Sequence, residues 1–379
     1  MKTLLRALLV PALALVAALV VGAIVIVFTD PETLRAWASS ARNPARALSL
    51  SWALVSGAYS ALFEGSFGSV RAVSETIVTA TPLILAGLSV ALAFRAGLFN
   101  IGGEGQILAG AIAATYVGFT FRDLPALVHL PAALLAGFAA GAGWGFIPGF
   151  LKARTGAHEV ITTIMLNFIA LSFVNFLLKT QTFLRPNRAD PISKIVSESA
   201  ELPQLLGTQY RLHAGIVLAL LVAWGVWWLL FRSTVGFQFR SVGANPDAAA
   251  YAGIRVGATY MVAMFLAGGL AGLAGGVQIL GIRKYMTPGF FGYGFDAIAL
   301  ALLGRSHPAG VVGAAVLFGA LRAGALRMQA DTSIPIDIIV VIQALIIVFI
   351  AAPALVRAVF RIRAERVAEP EAFTKSWAA

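Results

Sequence analysis

The chain has 379 residues, of which 59% are hydrophobic and only 12% charged, and its mean hydropathy is +0.86. A soluble domain is about 25% charged, so this composition excludes an ordinary soluble enzyme. Apolar runs of roughly 20 residues recur along the whole length and predict an all-α polytopic membrane protein. Cysteine is absent, which removes disulfide and thiolate chemistry. The formal net charge of +11 reads as Lys and Arg at helix ends near lipid headgroups, not as a nucleic-acid surface, because no basic run carries interleaved aromatics.

Lys2 and Arg6 precede an apolar run from Leu8 to Phe28. A signal peptide has that polarity, but its apolar core is only about 7–15 residues, so residues 1–28 are read as a retained first transmembrane helix. Residues 29–76 follow as an extracytoplasmic segment with a surface helix around Leu50–Phe63. The core, residues 77–354, carries apolar runs near Ile77–Phe94, Gln106–Phe121, Leu130–Phe150, Glu159–Leu178, Gly215–Phe231, Tyr260–Leu280, Phe295–Leu303, Val311–Leu326 and Ile334–Ala352. With the first helix these make about ten, and an even number puts both termini on one side. Several are short or glycine-rich, and Gly268, Gly269, Gly272, Gly275 and Gly276 permit close helix packing. Lys and Arg divide about evenly between the two sides, so charge bias alone does not orient the chain. Arg357, Arg361, Arg363 and Arg366 follow the last run and place the basic tail, residues 355–379, in the cytoplasm as a topological anchor or a lipid-binding segment. The polar stretch from Lys179 to about His213, with three prolines, is then external, as a docking surface or a connector.

Inside the second and third runs lies "AFRAGLFNIGGEGQILAGAIAA", Ala93–Ala114. Asn100, Glu104 and Gln106 interrupt apolar sequence there, among Gly102, Gly103 and Gly105. An intramembrane carboxylate costs at least about 2.5–3.5 kcal/mol by insertion scales and marks a functional site by default. Broken helix ends at membrane depth expose backbone groups that survive only against protein or water, and transporters use such ends to hold substrate. Asn100, Glu104 and Gln106, with Thr81 and Asn167 on neighbouring runs, are therefore candidate substrate-path residues; the alternative is that Asn100 and Glu104 only cap the broken ends. Asn175, Thr162, Thr163, Gln278, Asp296 and Gln343 are also embedded and predict interhelical hydrogen bonds worth about 0.6 kcal/mol each. Trp224, Trp227 and Trp228 read as interfacial anchors, and Phe290, Phe291 and Tyr293 as an interface or a stacking surface.

Motifs for catalysis are missing. "HEVIT" at His158–Thr162 lacks the second histidine of a zinc site, and no G-x-x-x-x-G-K-[ST] loop is present. No cofactor is expected in this chain. The stretch "RSTVGFQFRSVGANPDAAAYAGIRVG", Arg232–Gly257, instead specifies a short rigid helix within a loop. Asn245 is a good N-cap, Pro246 suits the first helical position, Asp247 complements the dipole, Ala248 to Ala250 favour helix, and Gly253 is placed to end it.

Three blocks carry a resemblance: "TPLILAGLSVALAFRAGLFNIGGEGQILAGA" (Thr81–Ala111), "TGAHEVITTIMLNFIA" (Thr155–Ala170) and "GFQFRSVGANPDAAAYAGI" (Gly236–Ile254). Over roughly Glu75–Pro353 the chain resembles the permease subunits of bacterial ABC importers, in the branch of the ribose-type and branched-chain amino acid permeases, and within it the nucleoside (simple-sugar) permeases. The resemblance implies a multi-pass inner-membrane protein that forms half of a transmembrane dimer, with a paralogous second permease. It also implies an ATPase subunit that binds and hydrolyses the ATP, and a lipoprotein or periplasmic receptor outside. It makes the segment Gly243–Gly253 a coupling helix for the ATPase, with Arg240, Gly243, Asn245, Pro246, Asp247, Ala249 and Gly253 as the coupling residues, and it puts the polar break near the path of a nucleoside, a purine in the first instance. A sugar or amino acid cargo, or an ion-coupled secondary transporter, are the alternatives.

Overall fold

The computed structural model describes residues 2–39, 43–332 and 334–351. The basic tail and its four arginines lie outside the described residues. Among the described residues the chain is predominantly helical, and the only strand-like pairings are two isolated bridges, Leu184 with Ser193 and Gln204 with His213. Each of the ten apolar runs is helical over most of its described residues. Among the described residues, seven helical segments are long and apolar enough to cross a membrane, and shorter apolar helices lie at Tyr293–Leu303 and Asp337–Phe349. Two compact units form, one from the described residues up to Thr79 and from Val316 on, the other from Ala80 to Ala315.

The first unit holds α1 (Lys2–Thr29), α2 (Pro31–Ala38), α3 (Pro44–Phe67), the start of α4 (Val70–Arg95), the later part of α13 (Pro308–Thr332) and α14 (Asp337–Ala351). Residues 29–76 are thus mostly helical, and the helix expected at Leu50–Phe63 is longer at both ends. Asp30 and Asn43 cap α2 and α3 by accepting from the Thr33 and Arg46 amides at 2.8 and 3.1 Å. Helix α3 meets α13 closely: a side chain at Gly324 would overlap the Leu62 carbonyl. Ser66 Oγ donates to the Ala320 carbonyl at 2.6 Å, and Glu64 pairs with Arg327 at 2.8 Å. Helix α1 packs on α14 with Gly22 against the Ile342 side chain.

The second unit is built around α5 (Gly103–Thr120), α6 (Ala126–Thr155) and α11 (Val256–Val277). These three touch through backbone. A Cβ at Gly272 would overlap the Gly137 carbonyl, one at Gly268 the Gly141 carbonyl, and one at Gly275 the Ile107 carbonyl. Small residues let helices approach this closely where lipid supplies no hydrophobic drive between them. Gly269 works differently, making room for the Phe138 ring, and Gly276 meets only ordinary contacts. Around this trio stand α7 (Glu159–Leu177), α8 (Gly215–Arg232), α9 (Thr234–Ala244), α10 (Pro246–Tyr251) and α12 (Tyr293–Leu303).

The unit has two distinct ends. At one, the link from α7 to α8 is tied down by backbone bonds: the Ser197 amide donates to the Gly118 carbonyl at 2.8 Å, Val196 to Lys284 and Leu202 to Leu280 at 3.0 Å. His129, at the head of α6, bonds Ser199 Oγ at 2.7 Å and the Val117 carbonyl at 3.0 Å. His213 is buried there between Gly215 and Gly281; burial first, then the charges of Lys284 and Arg211, push its imidazole down to about 4, so it is neutral. At the other end lie the C-terminus of α4, the link from α6 to α7, and the α9–α10 corner.

Candidate functional site

Helix α4 stops because Gly97 adopts the left-handed conformation, φ +73°, and the Leu98 amide turns back to the Ala93 carbonyl at 3.0 Å. This is a glycine-terminated helix end. Residues 98–101 then run without helical bonding, and α5 starts at Gly103 with Gly102 as its cap. The break expected from the sequence is present, and its polar residues are satisfied by one another. Asn100 and Gln106 exchange amide hydrogen bonds of 2.9 and 3.1 Å. The Asn100 Oδ1 also accepts from the Gly102 amide at 3.0 Å. Asn167 of α7 accepts from the Gly105 amide at 2.8 Å and donates to the Ile101 carbonyl at 2.9 Å. All three side chains are buried.

Glu104 is fully buried in the first turn of α5. Its carboxylate accepts from the backbone amides of Phe291, Gly292 and Gly294, which span the start of α12 and the residues just before it. Gly294 lies so close that a side chain there would overlap the Glu104 backbone. One carboxylate thus serves two helix N-termini, whose dipoles both favour negative charge. That arrangement is the physical reason an acid can sit at this depth. In this conformation Asn100, Glu104 and Gln106 hold the two ends of the break and the start of α12, and Asn167 locks the break to α7. Thr81 is buried separately, in the body of α4 beside Pro82.

Sequence reasoning missed two parts of this cluster. The amides of Phe291, Gly292 and Gly294 lie almost 190 residues from Glu104, and backbone donors leave no residue-type signal. Glu159 was legible only as part of a failed zinc motif. It starts α7, pairs with Lys152 at 2.6 Å and reaches the Phe99 amide at 3.5 Å, which ties α6, α7 and the break together. Among the aromatics, Phe290 meets Phe168 and Phe295 edge-on, while the Phe291 ring lies under Arg283. Trp224 and Trp228 are exposed on α8, as anchors require.

The capped loop helix is present as α10. Asn245 accepts from the Ala248 amide at 3.0 Å, Pro246 is its first residue, Gly253 is left-handed at φ +85°, and the Ile254 amide closes onto Ala249 at 3.0 Å. Pro246, Asp247, Ala250 and Tyr251 face outward, with Tyr251 98% exposed. Ala249 does not: it is buried beneath the helix, because its position turns it toward the protein, so it supports the helix without presenting a contact face. Arg240 stacks over Phe231, the ring that Arg95 also covers, and Arg95 donates to the Ser306 carbonyl at 2.9 Å. Gly243 abuts the Arg95 carbonyl and the Gly97 amide so tightly that any side chain would overlap them. The exposed corner is therefore bolted, backbone to backbone, to the residue that begins the polar break.

The family described as branched-chain amino acid transport system / permease component matches residues 72–351. The chain belongs to this permease family. Its relatives include the guanosine ABC transporter permease protein NupP of Bacillus subtilis, 45% identical across 80% of this chain and 87% of that protein. The nucleoside ABC transporter permease protein NupB of Lactococcus lactis is 40% identical over 77% and 82% of the two chains. The glucose ABC transporter permease protein TsgB13 of Haloferax volcanii is 36% identical over 77% and 79%. No solved structure matches. Membership fits the seven candidate spans and makes this permease a multi-pass membrane protein of a transport system, which removes the ion-coupled alternative.

Proposed function

We propose that this permease forms the translocation path for a purine nucleoside in the bacterial inner membrane, with a second permease, an external receptor and a separate ATPase as partners. The cargo reading rests on the guanosine and nucleoside relatives at 45% and 40% identity. The observation that carries the mechanism is the backbone contact of Gly243 with Arg95 and Gly97. A rigid, doubly capped helix facing outward suits a groove on an ATPase. Movement of α10 and α9 reaches Gly97 without passing through a flexible side chain. From there it reaches residues 98–102, Asn100 and the Glu104 anchor of α12. Closure driven by ATP would thus act on both ends of the break, opening and resealing the path around a neutral ligand whose hydroxyls and ring nitrogens match Asn100, Gln106, Asn167 and Glu104. In this reading the chain itself performs no chemistry, and the nucleotide is bound and hydrolysed by the partner.

A sugar is the second reading, supported by the glucose permease relative at 36% identity. The receptor that docks on this permease decides between them. Calorimetry with guanosine, adenosine and glucose is expected to give binding of a purine nucleoside. A receptor that binds glucose and ignores nucleosides overturns the cargo and leaves the permease role standing.

A further inference from the structure

The end of the second unit opposite α10 carries a cavity of about 620 Å³ that the proposed transport role does not use. Arg122, Arg185 and Lys194 line it, with Tyr116 and Phe119 as its aromatic wall, and no acidic residue takes part. Each cation is positioned by rings and backbone carbonyls, and Arg185 also feels the charge of Asp190 outside the cavity wall. Lys194 stands over the Phe119 ring at 5.5 Å and Arg185 over the Tyr285 ring at 4.7 Å. Arg122 Nε donates to the Phe119 carbonyl at 3.1 Å, and Arg185 Nε to the Ser193 carbonyl at 3.2 Å. One of the two terminal Arg185 nitrogens, Nη2, is shut from solvent and meets no hydrogen-bond acceptor among the described residues. A buried guanidinium donor without an acceptor is costly, and guanidinium matches the geometry of phosphate oxygens. The neighbouring cation behaves differently: Arg188 is already paired with Asp190 at 2.8 Å, and it lies outside this cavity.

Position argues for the source of the anion. Helix α5 ends at Thr120, in the cavity wall, and α7 ends at Leu177, shortly before Thr182 in the same wall. The exposed face of α7 carries Met165, Ile169, Phe173 and Phe176, a stripe at helical spacing with the character of a lipid-facing surface. Where such a stripe ends and Arg, Lys and Tyr gather, the depth is that of the headgroups. We propose that this cavity is a binding site for the phosphate of an anionic phospholipid headgroup, held by Arg185, Lys194 and Arg122, with the acyl chains along α7.

The test is native mass spectrometry of the permease complex released from nanodiscs of phosphatidylcholine with phosphatidylglycerol. Wild type is expected to retain phosphatidylglycerol over phosphatidylcholine, and the double variant Arg185→Gln/Lys194→Gln to lose about tenfold of that preference, with Arg188→Gln unchanged. If the double variant is not recovered, Lys194→Gln alone, on the wall of the cavity, is expected to show a smaller loss in the same direction. Equal retention by wild type and the Lys194 variant overturns the site. Displacement of the lipid by inorganic phosphate at equal concentration overturns the lipid as its source. Intact lipid retention with lost receptor binding assigns the cavity to an acidic protein surface and overturns the proposal equally.

Discussion

Glu104 is the sharpest place to perturb this permease, because its carboxylate answers three backbone amides at once. Glutamine keeps the shape but presents one acceptor oxygen and one NH₂ group. With its oxygen toward Phe291 and Gly292, the NH₂ faces the Gly294 amide, where Glu104 Oε2 now accepts at 2.7 Å; turned over, it faces the other two. At least one buried donor is left unpaired, at roughly 1–3 kcal/mol. Alanine leaves all three unpaired and removes the charge from two helix N-termini, so its cost is about three times larger. The assay is thermal unfolding of the purified complex, followed by size-exclusion recovery after heating, beside radiolabelled uptake normalised to complex recovered. Glu104→Gln is expected to assemble and to unfold several °C lower. Glu104→Ala is expected to unfold lower still and, in the fraction that assembles, to transport at least about tenfold more slowly, the factor that 1.4 kcal/mol gives. An alanine variant as stable as wild type refutes the anchoring of α12 by this carboxylate; a stable variant with normal uptake also removes Glu104 from the path.

Three further outcomes follow from the same geometry. Asp247→Arg with Tyr251→Ala, both on the outward face of α10, is expected to abolish receptor-stimulated ATP hydrolysis and uptake together while membrane expression persists; Ala249→Arg, buried under the helix, is expected instead to lower expression. Gly272→Val overlaps the backbone of Gly137 and Gly141 and should prevent recovery of folded protein, whereas Gly143→Ala, with open space around it, should be recovered like wild type. His213 is depressed from 6.5 to about 4, so the stability linked to its neutral form is fully present above pH 6.5 and is lost as pH falls toward 4, on the order of 3 kcal/mol. Melting of wild type should drop across that window more steeply than melting of His213→Asn.

What could be read from the sequence was what local physics specifies. Asn245, Pro246 and Gly253 fix both ends of α10 within nine residues, so the helix was legible before any packing was known. Gly102, Gly103 and Gly105 likewise announced a break, though not the left-handed Gly97 that ends α4. Hydrophobic runs located the spans but not their ends: α4 begins at Val70 and not near Ile77, because Val70–Thr76 pattern as polar although they continue the helix. The site's long-range half was hidden. Glu104 finds its donors on the loop before α12, and Gly243 meets Gly97, through backbone atoms that every residue type shares. The direction of Ala249 was equally hidden, since a six-residue helix of mostly alanine has no polar face to orient it.

The central claim is tested most directly by uptake. The permease is reconstituted in proteoliposomes with its ATPase, second permease and receptor, and [³H]guanosine is followed with and without ATP. Accumulation inside the vesicles is expected to require both ATP and receptor and to be lost in the Asp247→Arg/Tyr251→Ala variant. Guanosine entry that proceeds without ATP, or ATP-driven accumulation of glucose with none of guanosine, would contradict it.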